Sequence, residues 1–272
     1  MNGFPLSGAL DDRARDIMAG RLAPVRPRDA ATVAVVRPAV PSGLEVYLIR
    51  RKVSMAFAAG AYVFPGGSVD RRDVEQPVAF HGPSPEEWAG LLGTDASTAR
   101  GLVCAAVRET FEESGVLLAG PGGDGVVADT TGEDWEADRL ALVGKTLSFA
   151  AFLARRGLVL RSDLLRPWAH WITPEVEALR FDTRFFVAAL PPGQRTRDVG
   201  GEADLVTWVR PADALARGAA GEMRLMTPTH RTLSELAEHG DVAAVLAAPR
   251  EIAPILPAAV EVDGEIRIVE RP

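Results

Sequence analysis

Three glutamates cluster near the middle of the sequence, at Glu109, Glu112 and Glu113, with Arg108 immediately ahead of them. In a helix advancing about 100° per residue, Glu112 and Glu113 fall within about 60° of Glu109 on either side, so the three carboxylates share a face. Val103, Cys104, Val107 and Phe111 take the opposite half as a core-facing stripe. Arg108 stands at i,i+4 from Glu112 and can orient it. Ala105 and Ala106 are small and leave space beside the carboxylates. Carboxylates gathered on a rigid element suit a hard cation such as Mg²⁺ or Mn²⁺, which completes its shell with water and substrate phosphate. Upstream, Phe64-Pro65-Gly66-Gly67 can bring bare backbone carbonyls close to such a cluster, because glycine has no side chain to obstruct approach.

The elements that must position these groups follow from periodicity and punctuation. Thr94–Ser114 reads as a helix, started by Thr94 or Asp95 and ended by Gly115. Ala31–Val36 and Leu44–Ile49 read as strands of a hairpin, and Ala61–Phe64 as a third strand stopping at the Pro-Gly-Gly turn. Helices are expected at Leu10–Met18, Pro85–Leu92, Trp135–Arg156, Pro211–Arg217 and Thr229–His239. Strands are expected at Trp168–Ile172, Phe181–Leu190 and Leu205–Val209, with a tail hairpin turning at Asp263-Gly264. Trp168, Trp171 and Trp208 are read as core or pocket wall, and His230 as structural.

The 272 residues carry a formal charge of −7 and a single cysteine, Cys104. The charge argues against a nucleic-acid partner bound through a broad basic surface. One cysteine excludes a disulfide within this sequence, and Cys104 on the core-facing stripe is expected to pack. No stretch approaches the roughly 20 apolar residues of a membrane span. Met1–Arg21 lacks the basic-then-apolar order of a secretory leader. The expectation is a cytoplasmic protein acting on a small molecule, compatible with a homodimer. An acidic protein with an acidic substrate needs local positive charge, and Arg50, Arg51 and Arg184 are candidates for phosphates through bidentate guanidinium contacts. Arg50 and Arg51 are adjacent on a strand, so at most one reaches a given site.

Gly67, followed later by Arg108-Glu109-Thr110-Phe111-Glu112-Glu113-Ser114-Gly115-Val116, resembles the Nudix box, whose core is Arg-Glu-apolar-x-Glu-Glu-x-Gly-apolar. The box normally places 13 residues between its glycine and its arginine, but here 40 intervene, from Ser68 to Val107. Counted back from the arginine, the box's early glutamate falls at Arg100, which leaves its role vacant or supplied from the insertion. Thr110 occupies a slot that is usually aliphatic.

A box split after Phe-Pro-Gly-Gly-x-x-Asp is similar to the branch containing the peroxisomal coenzyme A diphosphatases. Leu48-Ile49-Arg50-Arg51, Met55-Ala56-Phe57, Gly60–Gly67, Val69-Asp70, Trp171-Ile172-Thr173-Pro174, Arg180–Phe186 and Gly200-Gly201-Glu202 carry that likeness. The resemblance implies an α/β/α sandwich around a mixed β-sheet. Its parts would be an N-terminal extension (1–30), a Nudix hydrolase domain (31–245) with insertions at about 68–93 and 119–165, and a tail (246–272). It also implies Mg²⁺- or Mn²⁺-dependent hydrolysis of a diphosphate linkage, with coenzyme A or an acyl-CoA favoured over ADP-ribose or a dinucleotide. A nucleotide sensor without turnover is the alternative of another class. The implied metal ligands are Glu109, Glu112 and Glu113 with a carbonyl at Gly66 or Gly67. Arg108 supports them, Glu112, Glu113 or Glu202 is the base, and Phe64 and Gly66 border the substrate.

Overall fold

The computed structural model describes residues 4–54, 58–197 and 203–270. At its centre is a nine-stranded mixed sheet, whose order runs Arg224–Leu225, Ala61–Val63, Leu44–Arg51, Arg28–Pro38, Phe181–Ala189, Arg166–Ile172, Pro254–Ile255. Ala203–Val209 also pairs with Leu44–Arg51, and Gly66–Ser68 with Arg28–Pro38. Arg28–Pro38 is parallel to Phe181–Ala189 and antiparallel to Leu44–Arg51, so the expected hairpin forms, with Val36 opposite Val46.

The β-branched run Ala31–Val36 is apolar at every position after Thr32 because both faces of its strand are covered. Val33 and Val35 pack towards the carboxylate helix, with Phe186 and Ala188. Ala34 and Val36 pack the other way, with Ala214, Leu233, Leu236 and Val245 of three C-terminal helices. Those helices are Pro211–Ala219, Thr227–Ala237 and Val242–Ala247. The result is the expected three-layer α/β/α arrangement.

The carboxylate helix spans Ala96–Ser114. Asp95 accepts the N–H groups of Ser97 and Thr98, each at 2.9 Å, satisfying two donors that a helix start leaves open. Gly115 ends the helix in the left-handed region, at φ 74°. The helix is buried over far more than one stripe. Ala105 and Ala106 are themselves fully buried. Thr110 is at home in its buried slot because its hydroxyl donates to the Ala106 carbonyl at 2.7 Å. Cys104 is fully buried, and burial pushes its thiol pKa up, so it packs and stays protonated.

Between the glycine turn and this helix lie the short helix Arg71–Glu75 and the helix Pro85–Leu92, the second where the sequence predicts it. Ser84 and Glu87 form a reciprocal capping box, and Trp88 packs edge-on against Phe186 with centroids 5.7 Å apart. The insertion is thus docked on the sheet. The expected single helix over Trp135–Arg156 is two, Glu133–Val143 and Phe149–Arg156. Gly144 and Lys145, the latter at φ 56°, turn the chain, and Ser148 caps the second helix. The tail hairpin, Ala258–Val262 with Glu265–Val269, turns at Asp263 and Gly264 as expected, both with positive φ. It joins Phe4–Pro5 in a separate three-stranded sheet. No helix among the described residues is long and apolar enough to cross a membrane.

Candidate active site

The glycine turn and the carboxylate helix meet at one end of the sheet. Gly66–Ser68 pairs with Ala30–Thr32, and the Thr32 hydroxyl donates to the Pro65 carbonyl at 2.7 Å, fixing the turn. A Cβ on Gly67 would lie 2.5 Å from the carboxylate carbon of Glu109, so only glycine lets the backbone press against that group. Gly66 is as tightly enclosed, because a Cβ there would lie 2.5 Å from the Ala31 carbonyl oxygen. The Gly66 N–H donates to Glu113 Oε2 at 2.7 Å. The sequence assigns this turn a carbonyl role; the contact made by Gly66 is through its amide.

Arg108 is the hub. Its Nη1 donates to Glu109 Oε1 at 2.7 Å and to Glu112 Oε1 at 3.1 Å. Its Nη2 donates to Asp73 Oδ2 at 2.8 Å and to the Ser68 carbonyl at 3.1 Å, and its Nε lies 3.2 Å from both Asp73 oxygens. With its donors committed in this way, Arg108 holds the carboxylates while its side chain also borders the cleft beside them. Asp73 is a site residue that the sequence reading missed. It is buried, and it also accepts the N–H of Asp70, closing a capping box on Arg71–Glu75. Two signals point to it. Asp70-x-x-Asp73 is a helix-start pattern, and the early-glutamate position, eighth before the arginine of a 13-residue spacing, stands sixth after the glycine. The sixth residue after Gly67 is Asp73. Counting back from Arg108 across the insertion gave Arg100, whose guanidinium instead donates to the Val74 carbonyl at 3.3 Å.

Three carboxylates, Asp73, Glu109 and Glu112, therefore surround one guanidinium, leaving an excess of negative charge in a buried place. Burial pushes the Glu109 carboxyl up from 4.5 to about 7; Arg108 opposes that rise and Glu112 adds to it. Burial raises Glu112 as well, again against the pull of Arg108. Among the described residues no three acidic, histidine or cysteine groups are drawn into a closed metal cage. The donor chemistry nevertheless fits a hard divalent cation: exclusively carboxylate oxygens, an uncompensated charge, and a glycine cradle against Glu109. Glu109 and Glu112, with Glu113 beside them, are the groups that would hold it.

These residues line a cleft of about 1150 Å³, which Arg51, Phe64, Trp171, Thr183 and the segment 139–149 also border. The size exceeds the range usual for drug-sized ligands. Of the arginines expected at phosphates, Arg51 reaches this cleft, while Arg50 pairs across the strand with Asp204 at 2.7 Å. Arg184 does not reach it. It is buried, bonded to Asp182 and 2.5 Å from His170 Nε2, and it reaches the Leu92 carbonyl at 3.4 Å. Strand alternation explains this, because Thr183 and Phe185 turn to the cleft and Arg184 between them turns away. His230 is exposed, Trp168 lies in the core and Trp208 is half-buried against Tyr47. Met55-Ala56-Phe57 and Gly200-Gly201-Glu202, and with them the candidate base Glu202, lie outside the described residues.

The chain has relatives among known proteins. The chain is 29% identical over 238 residues to the acyl-coenzyme A diphosphatase NUDT19 of Gallus gallus, covering 73% of this chain and 62% of that protein. It is 26% identical over 228 residues to the Xenopus laevis protein of the same name, covering 72% of this chain and 60% of that one. The chain thus spans about three fifths of the length of these curated relatives. A crystal structure of a NUDIX hydrolase from Alicyclobacillus acidocaldarius superposes with a TM-score of 0.68 at 28% identity, over 84% of this chain and 98% of that one. The family model for the NUDT19 Nudix domain matches residues 95–236, which include the whole carboxylate helix and more than half of the chain. The chain belongs to the NUDT19 Nudix domain family.

Proposed function

We propose that this protein is a Mg²⁺- or Mn²⁺-dependent hydrolase that cleaves the diphosphate linkage of coenzyme A or an acyl-CoA. The observation that carries the reading is the half-buried pair Glu109 and Glu112, clamped by Arg108 and opening on a cleft large enough for a long nucleotide. The relatives' activity on acyl-coenzyme A supports the substrate class. Water must attack a phosphorus atom shielded by anionic oxygens. A bound divalent cation supplies charge neutralisation and a more acidic water. The protein's part is positioning. Arg108 holds Glu109 and Glu112 at fixed spacing, and the Gly66 amide holds Glu113. Arg51 at the cleft is the candidate for a phosphate contact, with Phe64 in the wall. Glu112, Glu113 or Glu202 accepts the proton of the attacking water, because a carboxylate beside the reacting oxygen is the available base.

The test is hydrolysis of coenzyme A, dodecanoyl-CoA, ADP-ribose and a diadenosine polyphosphate with Mg²⁺ or Mn²⁺, with products read by mass. Release of 4′-phosphopantetheine from coenzyme A, or of its acylated form from dodecanoyl-CoA, is expected. A preference for ADP-ribose would overturn the substrate assignment. Glu112→Gln and Glu113→Gln should each remove most turnover while leaving the fold intact, and near-normal rates in both would overturn the metal-site assignment. Glu202→Gln, assayed across pH, tests the alternative base.

A further inference from the structure

Three large apolar side chains that border the cleft stand in water: Leu179, 36% exposed on a loop, and two that share a helix. Leu140 and Val143 are 55% and 45% exposed, and both line the cleft. They stand one turn apart on Glu133–Val143 and so share a face. The residue before them ties that face to the site. Arg139 is buried, and its Nη1 donates to the backbone carbonyl of Glu112 at 2.8 Å while Nη2 holds Glu136 at 2.6 Å. The helix is thereby fixed at a set distance from the carboxylates. Just beyond it, Arg72 donates to the Lys145 carbonyl at 3.1 Å, and Lys145 Nζ lies 3.8 Å from Asp70. The rim therefore presents an apolar ledge continuous with the carboxylate site and bounded by two cations. Val40 and Val53, more exposed still, stand on loops that do not line the cleft.

We propose that Leu140 and Val143 form a ledge that takes the apolar arm of the substrate whose diphosphate lies at Glu109 and Glu112, so that the enzyme reads acyl-chain length. Two half-exposed aliphatic side chains held in water gain free energy when an apolar partner covers them, and at the mouth of the cleft they stand where the acyl group, carried on the far end of the pantetheine arm, would lie once the diphosphate is seated. Arg139 makes the ledge specific, because it keeps the covered face in register with the scissile bond.

The ledge as an acyl reader rests on the coenzyme A reading, and the test separates the two. The full chain and its Leu140→Ser/Val143→Ser variant are compared on coenzyme A and dodecanoyl-CoA, by kcat and KM with Mg²⁺ and by direct binding of both ligands in EDTA. Dodecanoyl-CoA should lose about ten- to thirtyfold in KM and in Kd, as expected for the covered area, with kcat nearly unchanged. Coenzyme A should change by about twofold or less, and Val143→Leu should preserve the preference for the long chain. Equal losses on both ligands, no loss on dodecanoyl-CoA, or a change only in oligomeric state would overturn the ledge while leaving the coenzyme A reading intact. Wild-type protein that cleaves neither ligand would overturn the coenzyme A reading, and the EDTA binding data would still decide whether the ledge discriminates chain length.

Discussion

Replacing Asp73 with asparagine removes one charge from the centre of the site and almost no volume. Asp73 is 3% exposed and receives Arg108 through Nε and Nη2. Arg108 would keep Glu109 and Glu112, so the loss should fall at the lower end for a broken buried pair, about 2–3 kcal/mol. In a chain of this length that corresponds to a fall in Tm of roughly 4–12 °C. The electrostatic consequence runs the other way at the neighbouring carboxyls. Asp73 helps to raise Glu109 and Glu112, so its neutralisation lowers both pKa values. Fewer protons then compete for these carboxylates, and the acidic limb of kcat/KM should move to lower pH. The maximal rate should fall by about ten- to a hundredfold because the guanidinium that spaces the carboxylates loses its anchor. Thermal denaturation in EDTA and a pH series of kcat/KM read both effects. An Asp73→Asn protein with unchanged Tm, or with its acidic limb moved to higher pH, would refute the clamp.

Further outcomes follow from the same geometry. Glu109 has a folded-state pKa of about 7, above its usual 4.5, so ionising it costs stability as pH rises through that window. Metal-free Glu109→Gln should therefore gain on wild type from pH 4.5 to 8 by up to about 3 kcal/mol, read as a widening Tm difference. A difference that narrows with pH would contradict the burial argument. Mg²⁺ should raise the Tm of wild type at pH 8, and this increment should shrink below pH 7 as protons compete. Gly67→Ala places a methyl on the Glu109 carboxylate and should reduce turnover by about a hundredfold or more, whereas an alanine enzyme with normal kcat would show that the turn yields freely. Arg184→Lys should lower Tm while leaving KM for coenzyme A unchanged, and a selective rise in KM would return Arg184 to the substrate.

Much of the site was legible because it rests on local rules. The carboxylate helix announces its ends through Asp95 and Gly115, and its face follows from a fixed angle per residue. The strands flanking the hairpin carry β-branched runs whose register their partners confirm. What was hidden depends on contacts distant in sequence. Whether Arg184 faces the cleft is decided by strand alternation, and adjacency to Phe185 does not reveal it. The break at Gly144 and Lys145 lies inside an apolar periodicity that runs through it, so only the turn residues and Ser148 mark it. Asp73 was missed because an insertion makes forward and backward counting disagree, and the helix whose cap would have decided between them is only five residues long.

The placement of Asp73 also says how so long an interruption can be tolerated. The segment to be closed between Gly67 and Arg108 has grown from the usual 13 residues to 40. Loop-closure entropy grows only with the logarithm of length, so tripling the segment costs about 1 kcal/mol. The Arg108–Asp73 pair lies at the proximal end of the insertion, before the extra chain begins, and fastens the two pieces of the box directly. Length added beyond Glu75 therefore loads the denatured ensemble slightly and leaves the carboxylates where they are. In this fold the turns between Gln76 and Thr94 are where a lineage could add chain at little entropic cost, provided that Asp73 and Asp95, the anchors on either side, and the docked side chains of Trp88 and Leu92 stay in place.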